Sequence, residues 1–450
     1  MEAATVEPAA GLDVDKLTYE IFSILESKFL FGYDGPKLFS AGGSPQLGDA
    51  VESRKATPVR TTAAAAGKGK VCILSIDGGG RAADGLLAGA ALVRLEASLR
   101  RRTGDQEARL ADFFDVAAGS GAGGVLAAML VARGPDGRPL FSAEDALAFL
   151  LRSLRRGWSG CSDGGGLGSL RALFRCPGAA FRKLFGDLTL RDTVRPVLVP
   201  CYDMATAGLF LFSRADAVET PAYDFRLRDV CTATCAGSDG STAVVEVRSS
   251  DGSTRIAAVG GGVALGNPTA AAITHVLNNK REFPLAAGVE DLLVVSIGSG
   301  EGEQRPAGGG ASPSEIVRIA AEGVADMVDQ AVAMAFGHNR TSNYIRIQAT
   351  GTPRASRGAA KGGRVAEEML AQKSVESVLF RGKKLVEQTN AEKLERLAHE
   401  LVKERDRRRT KPIAPAVVKQ QPSTPAAGGR PPSTASSYSN LARHMLASIM

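Results

Sequence analysis

The sequence predicts an α/β fold with a largely parallel sheet, from two buried strands that each lead through a glycine-rich turn into a helix. The first apolar run, VCILSI at 71–76, ends at DGGG (77–80), and the second, FFDVAA at 113–118, ends at GSGAGG (119–124). Continuous apolar runs are typical of strands covered on both faces, and their alternation with helices is typical of parallel sheets. Because ligands bind beyond the carboxyl ends of such strands, the two glycine turns are the first candidates for a site.

Later segments extend this pattern. Strands are predicted at 255–262 (RIAAVGGG), 291–300 (DLLVVSIGSG) and 343–348 (NYIRIQ). Helices are predicted at 85–102, at 125–132, and from the capping sequence Ser312-Pro313-Ser314-Glu315 to Gly337. Residues 365–408 are charged and are predicted to be rich in helix.

The chain divides into four predicted segments. Residues 1–66 combine an amphipathic stretch at 17–31 with a linker rich in Gly, Ala, Thr and Pro. Residues 67–276 form the core of the domain, and 277–408 add its remaining strands and a helical extension. Residues 409–450 are a low-complexity tail, which is predicted to be disordered.

Composition excludes several classes of protein. With 450 residues, 44% of them hydrophobic, the chain can bury a large core. No apolar run approaches the ~18 residues of a membrane span, and the acidic first 15 residues do not suit a signal peptide, so a soluble cytoplasmic protein is expected. Six scattered cysteines and four histidines indicate neither a disulfide framework nor a zinc module.

The basic charge is concentrated at the C-terminal end. Residues 351–450 hold 19 Lys and Arg against 9 Asp and Glu, a net of +10, whereas the whole chain carries +7. Such a region is either a solvated helix with a disordered end or a contact with anionic membrane lipid, for which the run Lys403 to Lys411 is suited. Few aromatic residues accompany the charges, so nucleic acid is not an expected partner, and no feature identifies a protein partner.

The turn GSGAGG allows two interpretations. As G-x-G-x-x-G, its residues Gly119, Gly121 and Gly124 would let a dinucleotide pyrophosphate approach a helix N-terminus. That fingerprint normally follows the first strand of its fold, whereas an earlier strand precedes this turn. As a nucleophile elbow of the form G-x-S-x-G, the same turn would project the side chain of residue 121 toward a substrate. The dinucleotide interpretation is the weaker alternative.

Six short blocks, in order between about residues 70 and 350, resemble the patatin-like lipid acyl hydrolases. They are DGGG (77–80), DVAAGSGAGG (115–124), ATCA (233–236), VGGGVALGNPT (259–269), LLVVSIGSG (292–300) and NYIRIQ (343–348). The chain is most similar to the plant patatin-related phospholipase A group whose elbow is G-x-G-x-G. The resemblance implies a three-layer α/β/α fold and hydrolysis of acyl esters in membrane phospholipids and galactolipids by a Ser-Asp dyad, without a metal or cofactor.

Both side chains of that dyad are missing from this chain. The family's serine falls at Gly121 and its aspartate at Gly260. Because glycine can be neither nucleophile nor base, the resemblance implies either low, atypical activity or a lipid-binding pseudoenzyme that signals through a partner. The family's oxyanion-hole pattern G-G-x-R lies in Gly78-Gly79-Gly80-Arg81. If this backbone scaffold survives, the double change Gly121→Ser and Gly260→Asp is expected to raise ester hydrolysis.

Neighbouring side chains are candidate substitutes. Ser120 is the nearest hydroxyl, but it lies one residue along a tight turn and therefore points in a different direction, which favours a packing role. Cys235 stands where the family pattern ATSA has serine, and free cysteine is most often a small core residue. Asp77 is expected to hold the glycine turn by backbone hydrogen bonds, and it would serve as a base only if its carboxylate faced the elbow. Arg81 is either a lipid-phosphate contact or solvated, and His275 is expected to pack in the core or to cap a helix rather than to act in catalysis.

Overall fold

The main sheet contains eight of the strands seen in the computed structural model, which describes residues 69–155, 177–237, 244–300, 313–350, 359–378 and 382–410. These strands are β1 (Val71–Ile76), β2 (Val116–Gly119), β3 (Val197–Asp203), β4 (Gly208–Ser213), β5 (Val245–Arg248), β6 (Arg255–Gly260), β7 (Leu292–Ile297) and β8 (Tyr344–Ile347). A separate antiparallel hairpin consists of β9 (Lys373–Val378) and β10 (Gly382–Thr389). The predicted N-terminal segment 1–66 and the tail from 411 onward lie outside the described residues.

Twelve α-helices are found in the described residues. They are α1 (Leu86–Thr103), α2 (Ala122–Val131), α3 (Ala143–Arg155), α4 (Pro177–Phe185), α5 (Arg214–Glu219), α6 (Leu227–Thr234), α7 (Gly261–Ala264), α8 (Thr269–Asn278), α9 (Pro313–Phe336), α10 (Arg340–Asn343), α11 (Ala359–Ala371) and α12 (Asn390–Thr410).

The centre of the sheet is parallel, as the sequence predicts. Strands β3, β2, β1, β7 and β8 are neighbours in that order and run in one direction, so their carboxyl ends meet at one edge. Strands β4 and β6 both pair antiparallel with β3, and β5 pairs antiparallel with β6. The glycine turns after β1 and β2 therefore lie side by side at the carboxyl edge, where ligands of such sheets bind.

Two hydrophobic layers cover the faces of the sheet. Along β1, Cys72, Leu74 and Ile76 face one layer, which includes buried residues of α1, α2 and α12. Ile73 faces the opposite layer, which is formed with α8 and α9. Because β1 is covered on both faces, every residue from 72 to 76 is buried, which explains why all of them except Ser75 are apolar. The predicted three-layer α/β/α fold is confirmed.

One predicted boundary needs correction, and the structure adds detail to two other elements. Most of the segment 365–408 is helical, as predicted, but β9 and β10 lie between α11 and α12. The strand predicted at 113–118 begins only at Val116, since Phe113 and Phe114 are core residues that precede it. The strand ending at Gly260, for which the sequence predicts no direction, is antiparallel to its neighbours. Apolar patterning does not specify strand direction.

Part of the basic C-terminal run serves the fold. Arg408, near the end of α12, donates two hydrogen bonds to the Asp115 carboxylate, at 3.0 and 2.8 Å, and Asp115 in turn accepts a hydrogen bond from the backbone N–H of Cys72. The guanidinium of Arg405 lies 4.8 Å from the centre of the Phe113 ring. Through these contacts, both arginines hold α12 against the amino ends of β1 and β2. They are therefore not freely available to anionic lipid.

Candidate functional site

The turn after β2 is an elbow centred on Gly121. This residue has φ +54° and ψ −125°, a conformation that favours glycine, and it immediately precedes α2. Its backbone N–H donates a hydrogen bond of 2.9 Å to the hydroxyl of Thr234, which itself donates to the Pro200 carbonyl of β3 at 2.8 Å. Thr234 is fully buried and fixes the elbow to the neighbouring strand. Sequence reasoning noted its block, ATCA, but assigned no role to this threonine.

The glycine loop after β1 packs directly against the elbow. The backbone N–H of Ala122 donates a 2.7 Å hydrogen bond to the carbonyl oxygen of Gly79. A Cβ atom added at Gly121 would lie 2.1 Å from the same oxygen, a distance that real Cβ atoms essentially never show. The Gly79 carbonyl therefore occupies the space in which a serine side chain at position 121 would begin.

The turn after β6 approaches the same loop from the other side. Gly260 donates its N–H to the Ala236 carbonyl at 2.8 Å, and a Cβ at position 260 would lie 2.2 Å from that oxygen. A Cβ at Gly262 would lie 2.8 Å from the carbonyl oxygen of Gly78. The structure thus gathers the elbow, the glycine loop and the 260–262 turn, but backbone atoms fill both places that dyad side chains would need.

Two amides of the glycine loop have no acceptor in the described part of the chain. The N–H of Gly78 donates to the Gly266 carbonyl at 3.3 Å, whereas no such bond from Gly79 or Gly80 is found among the described residues. Adjacent backbone amides of this kind can stabilise a carbonyl oxygen that develops negative charge. Arg81 follows them, and its guanidinium contacts the Asp84 carboxylate at 2.7 Å while remaining 55% exposed.

Neither Ser120 nor Cys235 is arranged as a nucleophile. Ser120 is fully buried, and its Oγ has no hydrogen-bond partner within the described residues, so no base is in position to accept its proton. Cys235 is 3% exposed, and burial raises the pKa of its thiol far above the ordinary value. Both side chains pack in the interior. This environment is consistent with the packing role that the sequence favours for Ser120 and the core role that it favours for Cys235.

Asp77 belongs to a buried ionic network and is not oriented as a base for the elbow. One carboxylate oxygen accepts a 2.7 Å hydrogen bond from Arg346, which also donates to the Ser296 hydroxyl at 2.6 Å. Asp329 lies 3.9 Å from the same guanidinium and accepts a hydrogen bond from the Tyr344 hydroxyl. Burial raises the pKa of Asp77 to about 6, although Arg346 opposes that shift. This network anchors the glycine loop at its first residue, where the sequence predicted an anchor made by backbone hydrogen bonds.

His275 is also excluded as a catalytic base by its surroundings. It packs edge-to-face with Phe283, and its Nε2 is buried with no partner among the described residues. Burial lowers the pKa of its imidazole to about 4, so the ring is neutral at physiological pH. The predicted core role is consistent with this environment.

The geometry of the elbow does not suit a dinucleotide or a metal. The N–H of Ala122, the first residue of α2, is already bonded to Gly79, which removes one donor that a pyrophosphate would need. Within the described ranges, no group of three or more His, Cys, Asp or Glu side chains is placed to hold a metal ion.

The turn between β2 and α2 has the form of a nucleophile elbow, because a parallel strand leads through a positive-φ residue into a helix. The protein is therefore a three-layer α/β/α protein with an elbow beside a glycine loop, but the nucleophile is absent. Comparison with known proteins is more specific. The chain belongs to the patatin-like phospholipase family, whose model matches residues 74–273. The family resemblance drawn from the six sequence blocks is therefore confirmed.

Three relatives illustrate the range of that family. "Patatin-like protein 3" of Oryza sativa subsp. indica is 62% identical and covers 89% of this chain and 94% of its own length. "Patatin-like protein 7" of Arabidopsis thaliana is 49% identical over 91% of this chain and 85% of its own length. "Probable inactive patatin-like protein 9" of Arabidopsis thaliana is 40% identical over 87% and 93%, respectively.

Proposed function

We propose that this chain is a phospholipase A-type patatin-like protein that engages ester groups of membrane phospholipids and galactolipids and hydrolyses them slowly, without a Ser-Asp dyad. The observation that carries the proposal is the pair of loop amides, Gly79 and Gly80, which lie beside the elbow and have no acceptor in the described residues. Oxyanion donors and binding alone retain about 10³- to 10⁴-fold acceleration over water when a nucleophile is removed. We therefore expect this chain to accelerate ester hydrolysis by about that residual factor.

In this reaction, water takes the place of the serine. Its oxygen bonds to the ester carbonyl carbon, and the negative charge that develops on the carbonyl oxygen is stabilised by the loop amides. Collapse of the tetrahedral intermediate breaks the bond to the alcohol oxygen, which receives a proton from the attacking water. The products are a fatty acid and a lysolipid, so atoms and charges balance without a cofactor.

A second candidate function is lipid binding without turnover. It is favoured by the carbonyl oxygens of Gly79 and Ala236, which lie 2.1 and 2.2 Å from the Cβ positions that the dyad residues would require. The name of the 40% identical relative, "Probable inactive patatin-like protein 9", is in line with this alternative. In that case the protein would present the lipid-bound scaffold to a signalling partner.

The test is fatty-acid release from mixed phospholipid and galactolipid vesicles by the purified full chain, combined with fluorophosphonate labelling. We expect slow release and no covalent adduct. A stoichiometric adduct would contradict the dyad-free proposal, and its position would identify the nucleophile, with Ser120 as the first residue to examine. Release no faster than in buffer would support the second candidate.

A matched pair of variants excludes a contaminating lipase. Gly121→Ala places a methyl group against the Gly79 carbonyl and should therefore displace the glycine loop and abolish release. Gly104→Ala changes a glycine of similar φ, +69°, that has no neighbouring atom within 4 Å of the added Cβ. Release that survives equally in both variants would not come from this site.

A further inference from the structure

The hydroxyl of Thr234 joins two backbone segments in the interior. Thr234 is the last residue of α6 and is fully buried. Its oxygen accepts the hydrogen bond from the Gly121 N–H and donates to the Pro200 carbonyl, at 2.9 and 2.8 Å. A threonine hydroxyl can donate once and accept at the same time, so one oxygen satisfies both contacts. Its loss would remove the acceptor of the buried Gly121 amide.

The peptide unit between Ser120 and Gly121 lies between Thr234 and the glycine loop. No cis peptide bond is found in the described part of the chain, so the N–H of Gly121 and the carbonyl of Ser120 point in opposite directions. The N–H meets Thr234, and a Cβ added at Gly78 would lie 2.6 Å from the Ser120 carbonyl oxygen. A rotation of this peptide unit would therefore move the Ser120 oxygen against the loop.

The turn at 260–262 gives Thr234 a second connection to the same loop. A Cβ added at Gly261 would lie 2.9 Å from the Thr234 hydroxyl oxygen. One added at the next residue, Gly262, would lie 2.8 Å from the carbonyl oxygen of Gly78. Thr234 thus packs against both of the segments that touch Gly78, the elbow and this turn.

These close approaches determine how precisely the loop is held. Densely packed interiors transmit small displacements, because there is little free space to absorb them. The amides of Gly79 and Gly80 follow Gly78 directly, and such donors stabilise a developing oxyanion only when they are held in place. A group that fixes the backbone around Gly78 therefore also fixes the two amides.

We propose that Thr234 is a positioning residue for the oxyanion donors of this site. Its hydroxyl acts through the Ser120–Gly121 peptide and the 260–262 turn, and it keeps the amides of Gly79 and Gly80 beside the elbow. The inference rests on the proposed function, since it identifies what holds the groups to which that function is assigned. A purely structural role would lower stability without a selective effect on kcat.

The experiment compares variants of two buried threonines in the full chain. Thr234→Val keeps the shape of the side chain and removes the hydroxyl, whereas Thr234→Ser keeps the hydroxyl. The matched control is Thr193→Val, because Thr193 is also fully buried and donates its hydroxyl to the Leu190 carbonyl at 2.9 Å. Thr193 pairs with Ala132 just beyond α2, whose 10 residues place it about 15 Å from the elbow.

The first readout is fatty-acid release from mixed phospholipid and galactolipid vesicles. Thr234→Val should lower kcat about ten- to a hundredfold at unchanged KM, because misplacement of catalytic groups by about 1 Å can cost about 10²-fold. Thr234→Ser should retain most of the wild-type kcat, and Thr193→Val all of it. Vesicle binding is measured separately by co-sedimentation. None of the helices in the described ranges is long and apolar enough to span a bilayer.

The second readout is amide hydrogen exchange, which does not depend on turnover. Exchange within residues 77–85 should be faster in Thr234→Val than in the wild type, and unchanged in Thr234→Ser and Thr193→Val. Thr234→Cys provides a milder change if Thr234→Val does not fold, because a thiol is a weaker donor and acceptor than a hydroxyl. Its kcat and loop exchange should lie between those of Thr234→Ser and Thr234→Val.

Three results would overturn the positioning role. They are an unchanged kcat or unchanged loop exchange in folded Thr234→Val, an equal loss in Thr234→Val and Thr193→Val, and a loss in Thr234→Ser as large as that in Thr234→Val. Wild-type protein that releases no fatty acid would contradict the proposed turnover instead. Loop exchange in the same variants would then still decide whether Thr234 holds the glycine loop.

Discussion

The backbone N–H of Ala122 and the carbonyl oxygen of Gly79 are joined by a hydrogen bond of 2.7 Å. In nucleophile-elbow hydrolases, the amide of the residue after the nucleophile contributes to the oxyanion hole. Here that amide is satisfied within the protein, by the same carbonyl that fills the Cβ position of Gly121. The glycine loop must therefore move before the Ala122 amide can bind an ester carbonyl, whereas the amides of Gly79 and Gly80 do not face this competition.

The first prediction concerns restoration of the dyad. The double change Gly121→Ser and Gly260→Asp should destabilise the protein and should not raise hydrolysis of a short-chain ester, contrary to the expectation from sequence. Each added Cβ meets a backbone oxygen at 2.1 or 2.2 Å, and residue 121 also has positive φ. Overpacking of this kind costs about 1–3 kcal/mol per site, and left-handed backbone about 1–2 kcal/mol more. Urea unfolding and ester assays measure both effects.

The control for restoration is Gly137→Ser, at φ +78° with no atom within 4 Å of the added Cβ. This variant has only the free-energy cost of a left-handed backbone, without overpacking. Its free energy of unfolding should therefore fall less than that of Gly121→Ser alone. A double mutant that folds with wild-type stability and gains esterase activity would show that the loop yields easily and that the catalytic scaffold has survived.

The second prediction concerns the buried pair behind the glycine loop. Arg346→Met should lower the free energy of unfolding by about 3–5 kcal/mol near pH 8, because it leaves the carboxylates of Asp77 and Asp329 buried without their cation. Arg318→Met removes only a partly exposed pair on α9 and should cost no more than about 1 kcal/mol. Equal losses in the two variants would contradict the assigned importance of the Asp77 network.

This pair also gives a pH dependence with a defined direction. Burial raises the pKa of Asp77 to about 6 from an ordinary 3.8, so the folded protein binds this proton more tightly than the unfolded chain does. The contribution of protonated Asp77 to the free energy of unfolding is full below about pH 4 and is lost as pH rises through 6. Removal of Arg346 raises this pKa further, because the guanidinium lowers it. The loss of stability in Arg346→Met should therefore be smaller at pH 5 than at pH 8.

The third prediction separates structural from solvated charges in the basic C-terminal run. Arg408→Ala should lower the free energy of unfolding by about 1.5–3 kcal/mol, since it removes two hydrogen bonds to the Asp115 carboxylate. Arg409→Ala, at the next and exposed position, should change it by less than about 0.5 kcal/mol. Guanidinium or urea titration resolves the difference. An effect of equal size in both variants would contradict a structural role for the contact between Arg408 and Asp115.

Local sequence patterns were sufficient to predict the parallel part of the sheet. The run from Val71 to Ile76 is apolar except at Ser75 because both of its faces are covered, and the glycine turn after it is required by close backbone approach. The helix beginning at Pro313 was predicted from its capping sequence. By contrast, the hairpin of β9 and β10 was missed, because its strands carry many charged residues and only their packing against α9 and α12 favours them over helix.

In the candidate site, too, some features could be predicted from the sequence and others could not. Motif spacing alone located Gly121, Gly260 and the loop Gly78-Gly79-Gly80, since a missing side chain is visible in the sequence. That the Gly79 carbonyl replaces the serine, that Thr234 holds the elbow, and that Arg346 pairs with Asp77 across 269 positions of the chain could not be read from any local pattern. These contacts join segments distant in sequence, and only the packing of the strands and their connecting turns decides which groups meet.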